Sequence, residues 1–136
     1  MPGESERAAE GRRLLIVSDD PQYGKLLAYG LRLAGLAAEV IEGGGDPCDA
    51  IAKAKPDLLF VDMSVAVAAG LAMLHGLRDK DLPILVLSSS DDPVFSVESR
   101  VAGAQDVLVK PATFPAILER VMRLLREPCP APPGGR

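Results

Sequence analysis

Apolar residues along this chain fall into short unbroken runs separated by longer stretches with a different period. The runs are Leu14–Val17, Leu58–Val61, Ile84–Leu87 and Val107–Val109, with a weaker one at Ala37–Ile41. They are continuous rather than alternating, as expected of strands covered on both faces of a parallel sheet. The stretches between them have helical spacing. Leu26, Leu27, Leu31 and Ala34 form one such set, and Leu71, Leu74, His75 and Leu77 a second. Ile117, Val121, Leu124 and Leu125 give the cleanest helical face. Asp46-Pro47, Asp92-Pro93 and Thr113–Pro115 pair a capping oxygen with a proline in the first turn, which predicts helix starts. Gly35 and Gly103 predict helix ends. The rhythm is strand then helix, five times over. Right-handed crossovers then place helices on both faces of a doubly wound, five-stranded parallel α/β sheet.

Composition narrows the picture without changing it. The chain has 136 residues, enough for one domain and a core that needs no metal or disulfide staple. Hydrophobic residues make up 48% and charged residues 25%. The net charge of −4 argues against direct nucleic-acid binding by this domain. No apolar run approaches the ~20 residues of a membrane helix, so no membrane partner is expected. Residues 1–11 are expected to form a disordered lead-in and residues 12–127 the folded domain. Residues 128–136 (PCPAPPGGR) read as a Pro/Gly-rich tail or linker. Cys48 and Cys129 form no CxxC pair and are expected as free thiols in a reducing cytoplasm.

In open α/β sheets, ligands bind outside the carboxyl ends of the strands. Ser18, Asp19 and Asp20 follow the first run, Asp62 the third, Ser88, Ser89 and Ser90 the fourth, and Lys110-Pro111 the fifth. Loops are polar in any case, and that explains one or two such residues. It explains less well a lone carboxylate, Asp62, set between Val61 and Met63. Carboxylates such as Asp19 and Asp62 offer hard oxygens to Mg²⁺, which takes one or two of them beside waters and phosphate oxygens. A carboxylate is also a nucleophile toward phosphorus. A lysine and a hydroxyl supply charge neutralisation and hydrogen bonds to a transferred phosphoryl group. The combination points to phosphoryl transfer onto an aspartate.

The segments LLIVSDDP (14–21), LLFVDM (58–63), PILVLSSS (83–90) and GAQDVLVKP (103–111), in this order and spacing, closely resemble the receiver domain of two-component response regulators. The resemblance covers residues 12–127. It implies strand order 2-1-3-4-5, with the site between strands 1 and 3. By the same resemblance Asp62 is the phosphoacceptor and Asp19 a direct Mg²⁺ ligand. Ser64 offers its backbone carbonyl to the metal, Ser88 hydrogen-bonds the phosphoryl group, and Lys110 pairs with it. The Lys110–Pro111 bond is expected to be cis. A sensor histidine kinase or phosphotransfer protein is the implied donor, in the cytoplasm. No enzyme activity is implied beyond self-catalysed phosphotransfer and autodephosphorylation. The last helix, LERVMRLLRE, is similar to that of receivers joined to winged-helix DNA-binding domains. It suggests a homodimer through the fourth helix, fifth strand and fifth helix, with Arg100, Asp106, Glu119 and Arg120 as candidate cross-subunit charges.

The departures are specific. Ser18 stands where the family usually has the first of two acids, with Asp20 as a further candidate metal-site donor. Ala66 and Ala69 replace a usual proline and acid, and Val107 replaces the usual aromatic of the fifth strand. Ser18 itself reads as a loop or N-cap residue. His75 reads as a surface or packing residue, Gly43–Gly45 as a turn, and the Arg120, Arg123, Arg126 stripe as a solvated face. Two other functions compete with the phosphoacceptor. One is a degenerate receiver acting as an interaction module. The other is a Mg²⁺-dependent phosphatase of another α/β fold, opposed by Ser64 where such enzymes need a second acid.

Overall fold

The structure, a computed structural model, describes residues 11–18, 20–41, 47–63, 82–89 and 93–126. The expected helix over Leu71–Leu77 and the readings of His75, Gly43–Gly45, Ala66, Ala69, Asp19, Ser64 and Cys129 lie outside the described residues, as do residues 1–10 and 127–136. The strands are β1 (Arg13–Ser18), β2 (Ala37–Ile41), β3 (Leu58–Met63), β4 (Ile84–Ser88) and β5 (Asp106–Val109). The helices among the described residues are α1 (Pro21–Leu33), α2 (Pro47–Ala54), α3 (Pro93–Ala102) and α4 (Phe114–Arg126). Thus α3 and α4 are the fourth and fifth helices of the expected series.

All strand pairs are parallel, in the order β2-β1-β3-β4-β5. The unbroken apolar runs predict the doubly wound parallel sheet, and the resemblance to receiver domains implies this flavodoxin-like strand order. Alternate residues of each strand supply two cores. Leu14, Ile16, Leu58, Phe60, Leu85 and Leu87 pack with Leu27 and Leu31 of α1 and Ile117 and Val121 of α4. Leu15, Leu59, Val61, Ile84, Val86 and Val107 pack on the opposite face with Ile51 of α2 and Ala102 of α3. Phe60 and its neighbours on the central strands are fully buried, so the middle of the sheet is a rigid platform for whatever stands at its ends.

The helix ends follow the local signals. Gly35 (φ +100°) and Gly103 (φ +129°) adopt left-handed backbone after α1 and α3. Leu36 N–H reaches back to Leu31 C=O and Gly35 N–H to Arg32 C=O; Ala104 and Gly103 repeat the pattern onto Ser99 and Arg100. These paired bonds satisfy carbonyls that the last turn leaves open, and glycine adopts the required φ at no steric cost. Thr113 caps α4, its hydroxyl accepting from Ala116 N–H at 3.3 Å. At the other end of the sheet, Arg12 donates to Leu125 C=O and Arg13 to Ala54 C=O, so two arginines entering β1 bind the C-terminal turns of α4 and α2.

Candidate functional site

Parallel pairing of β1 with β3 sets Ser18 beside Asp62 as the last matched pair of the ladder. Each lies two residues beyond a side chain of the α1/α4 core, Ile16 and Phe60, so the two side chains leave the same face of the sheet. Asp62 is only 3% exposed. The Ser18 hydroxyl donates to Asp62 Oδ2 at 2.9 Å. The reading of Ser18 as a loop or N-cap residue is therefore corrected. It ends a strand, and register places its hydroxyl on the central carboxylate.

Lys110 follows β5, and its Nζ stands 2.9 Å from Asp62 Oδ1. That contact is off the direction of a good hydrogen bond, so among the described residues Oδ1 is a buried acceptor with a charge partner and no hydrogen-bond donor. The Lys110 N–H to Ser88 C=O bond (2.7 Å) ties the loop to the end of β4, and the Lys110–Pro111 bond is cis as expected. Ser88 is buried at the end of β4, in register with Met63 and Val109. Asp62, Lys110 and Ser88 thus occupy three adjacent strand ends at the carboxyl edge of the sheet.

Asp20, offered as a further metal-site donor, has another use. Its Oδ1 accepts from Gln22 N–H (3.1 Å) and Tyr23 N–H (3.2 Å), making it the N-cap of α1. The same Asp-Pro signature that marks the other helix starts is present in Asp20-Pro21 and explains this placement. The cap fixes Tyr23, a residue that apolar periodicity does not single out. Its ring centroid lies 5.1 Å from Lys110 Nζ. Burial, and secondarily the charge of Asp62, raise the Tyr23 pKa above that of a free phenol.

The residues present fit Mg²⁺ as far as they are described. Asp62 supplies a hard carboxylate with a buried oxygen that no hydrogen-bond donor reaches among the described residues, and hard oxygens are what that ion prefers. The other implied ligands, Asp19 and the Ser64 carbonyl, lie outside the described residues.

The charges expected to cross a subunit boundary pair within the chain instead. Asp106, 5% exposed, receives Arg120 Nη1 at 2.6 Å, Arg100 Nη2 at 3.0 Å and Arg123 Nη2 at 3.1 Å. Glu119 lies 3.5 Å from Arg120. Arg120 and Arg123 are therefore not simply a solvated stripe: both turn toward the start of β5. Burial alone would raise the Asp106 pKa. Hydrogen bonds from Arg120, the Val107 N–H and Arg100, with the charge of Arg120, outweigh it and hold the carboxyl below its usual range.

Comparison with known proteins agrees with this geometry. A family model described as the response regulator receiver domain matches residues 14–122. The chain is 36% identical over 119 residues to the transcriptional regulatory protein PrrA of Mycobacterium tuberculosis, covering 84% of this chain and 50% of that protein. It is 32% identical over 117 residues to the transcriptional regulatory protein PcoR of Escherichia coli, covering 85% and 52%. The chain thus spans about half the length of these relatives. The BeF3-activated N-terminal receiver domain of RstA from Klebsiella pneumoniae superposes with a TM-score of 0.77 at 29% identity, covering 85% of this chain and all of that one. The chemotaxis response regulator CheY4 of Vibrio cholerae shares the fold, with a TM-score of 0.74 at 24% identity over 84% of this chain and 98% of that one.

Proposed function

Because this chain belongs to the response regulator receiver domain family of two-component systems, we propose that Asp62 accepts a phosphoryl group from a partner histidine kinase or phosphotransfer protein. The observation that carries this reading is the Asp62–Lys110 pair: a buried carboxylate at the carboxyl edge of the sheet, 2.9 Å from an ammonium. A buried ion pair is weak evidence of stabilisation, because desolvating both charges offsets most of their attraction. At this edge the pair has a chemical use. An Asp62 oxygen attacks the donor phosphorus, an O–P bond forms, and the P–N bond to the donor imidazole breaks, the imidazole leaving with a proton. Lys110 neutralises the charge that builds on the phosphoryl oxygens, and the Ser88 hydroxyl donates to one of them. Asp62, with Asp19 and the Ser64 carbonyl, would hold Mg²⁺, which supplies further neutralisation of phosphoryl charge when bound. The domain is a cytoplasmic signalling acceptor whose only chemistry is its own phosphorylation and dephosphorylation.

The test is intact-mass spectrometry after incubation with Mg²⁺ and acetyl phosphate. One phosphoryl adduct is expected on the parent chain and none on Asp62→Asn. An adduct that survives the substitution places the acceptor elsewhere.

The second reading, a phosphorylation-independent interaction module, is favoured by Ser18, whose neutral hydroxyl stands against Asp62 where the family usually has an acid. Absence of any adduct on the parent chain would select it. In either case the α3–β5–α4 face is the proposed surface for a second copy. β5 is an edge strand. Val97, Val101 and Val109 there are 60%, 54% and 39% exposed. Exposed apolar side chains on α3 and on β5, which is an edge strand among the described residues, favour association.

A further inference from the structure

We propose that Tyr23 is a positioning residue for Lys110, its ring holding the ammonium where it meets Asp62 and, after transfer, the phosphoryl group. The inference rests on the phosphoacceptor reading and assigns that site a residue on α1.

A lysine has a long, freely rotating stem, and holding it in one place costs rotamer entropy. Lys110 keeps 30% of its side chain exposed while the carboxylate it faces is sealed, so burial alone does not fix the stem. The Tyr23 ring lies 5.1 Å from Nζ, inside the ~6 Å range over which an aromatic face attracts a cation. The ring itself is held from two directions. Its backbone N–H is fixed by the Asp20 cap, and its body packs against the α1/α4 core. A connected series results: Asp20 fixes the first turn of α1, that turn presents Tyr23, Tyr23 holds Lys110, and Lys110 faces Asp62. This gives the exposed acid at position 20 a use that does not involve touching a metal. Phosphorylation adds negative charge within reach of the same ammonium, and the ring, being neutral, lets Lys110 follow that charge without competing for it as a carboxylate would.

Two measurements test this. In the unphosphorylated chain, NMR of the Lys110 ε-methylene group should show an upfield displacement from the Tyr23 ring. Tyr23→Leu should abolish it, and Tyr23→Phe, which restores the ring without the hydroxyl, should rescue it. With acetyl phosphate and Mg²⁺, Tyr23→Leu should slow formation of the Asp62 adduct by about two- to fivefold, the size of an exposed cation–π contact, with rescue by Tyr23→Phe. Tyr23→Met serves the same purpose as Tyr23→Leu if leucine disturbs the fold. An unchanged Lys110 shift in both ringless variants overturns the proposal. So does an unchanged adduct rate in both, or a Phe variant as slow as the Leu variant. If the parent chain takes no adduct, the phosphoacceptor reading has failed and the positioning role falls with it. An adduct on the parent that forms equally fast without the ring sinks the positioning role alone.

Discussion

Arg120 Nη1 lies 2.6 Å from Asp106 Oδ2, joining the middle of α4 to the first residue of β5. With Arg100 of α3 and Arg123 of α4 on the same carboxylate, this contact gathers three elements on one buried acid. The arginines are 31–50% exposed, so water screens them in part and the carboxylate is the costly partner to disturb.

The first prediction follows from that asymmetry. Asp106→Asn should lower stability by about 2 kcal/mol at neutral pH, the range for hydrogen bonds to charged groups. The folded-state pKa of Asp106 lies below its unfolded value. Its stabilisation is therefore fully present above about pH 4, the unfolded value. It is lost as pH falls through the lower folded value. Urea denaturation of both chains from pH 7 downward should show the two stabilities converging only below about pH 4. A constant difference across that range would mean the carboxylate charge contributes nothing.

The strands and their carboxyl edge are legible in the sequence because burial on both faces writes itself as unbroken apolar runs such as Leu58–Val61. Asp62, Ser88 and Lys110 are legible because each directly follows such a run. What escapes local reading is pairing at long range. Ser18 and Asp62 are 44 positions apart, and only the register of β1 on β3 makes them partners. Arg120 and Asp106 are 14 apart, so helical spacing alone puts Arg120 on a solvated face. Tyr23 follows a capping signal readable in Asp20-Pro21, but nothing local says that Lys110 arrives beside it.

A second prediction concerns how α4 seats on α1. A Cβ added at Gly30 would stand 2.7 Å from Cε1 and 2.9 Å from Cζ of Phe114, so the glycine forms a socket for that ring. Alanine in a helix interior is worth about 1 kcal/mol over glycine. Gly30→Ala should give no such gain in the parent chain, because the ring must move out. On a Phe114→Ala background the same change should stabilise by about 1 kcal/mol. Thermal denaturation of the four chains reads the coupling directly. Equal gains in both backgrounds would show that the ring does not occupy the socket.

The last prediction concerns Ser18. Its hydroxyl gives Asp62 Oδ2 a neutral donor at 2.9 Å and accepts from Asp20 N–H at 3.1 Å. An acid at this position would present negative charge to a cation at Asp62. Ser18 instead takes up one oxygen of the buried carboxylate at the end of β3. Mg²⁺ completes its shell with water, so the loss of one acid need not abolish binding. At an effective dielectric near 20, a carboxylate ~5 Å from a divalent ion contributes a gross Coulomb attraction of roughly 6–7 kcal/mol, most of it offset by desolvation and screening. Groups that act on a metal from just outside its ligands typically change affinity by about 10–100-fold. Ser18→Asp should therefore tighten Mg²⁺ binding by about tenfold or more, and speed phosphorylation when metal is limiting. Without metal the same change replaces a donor by a second carboxylate, so it should also destabilise the metal-free chain, by about 1 kcal/mol or more. Ser18→Ala separates the two effects: it removes the donor, costing about 1 kcal/mol, and adds no charge. Calorimetric Mg²⁺ titration and urea denaturation of the three chains decide the matter. Equal Mg²⁺ affinity in the parent and Ser18→Asp chains would mean that an acid at this place has no influence on the cation.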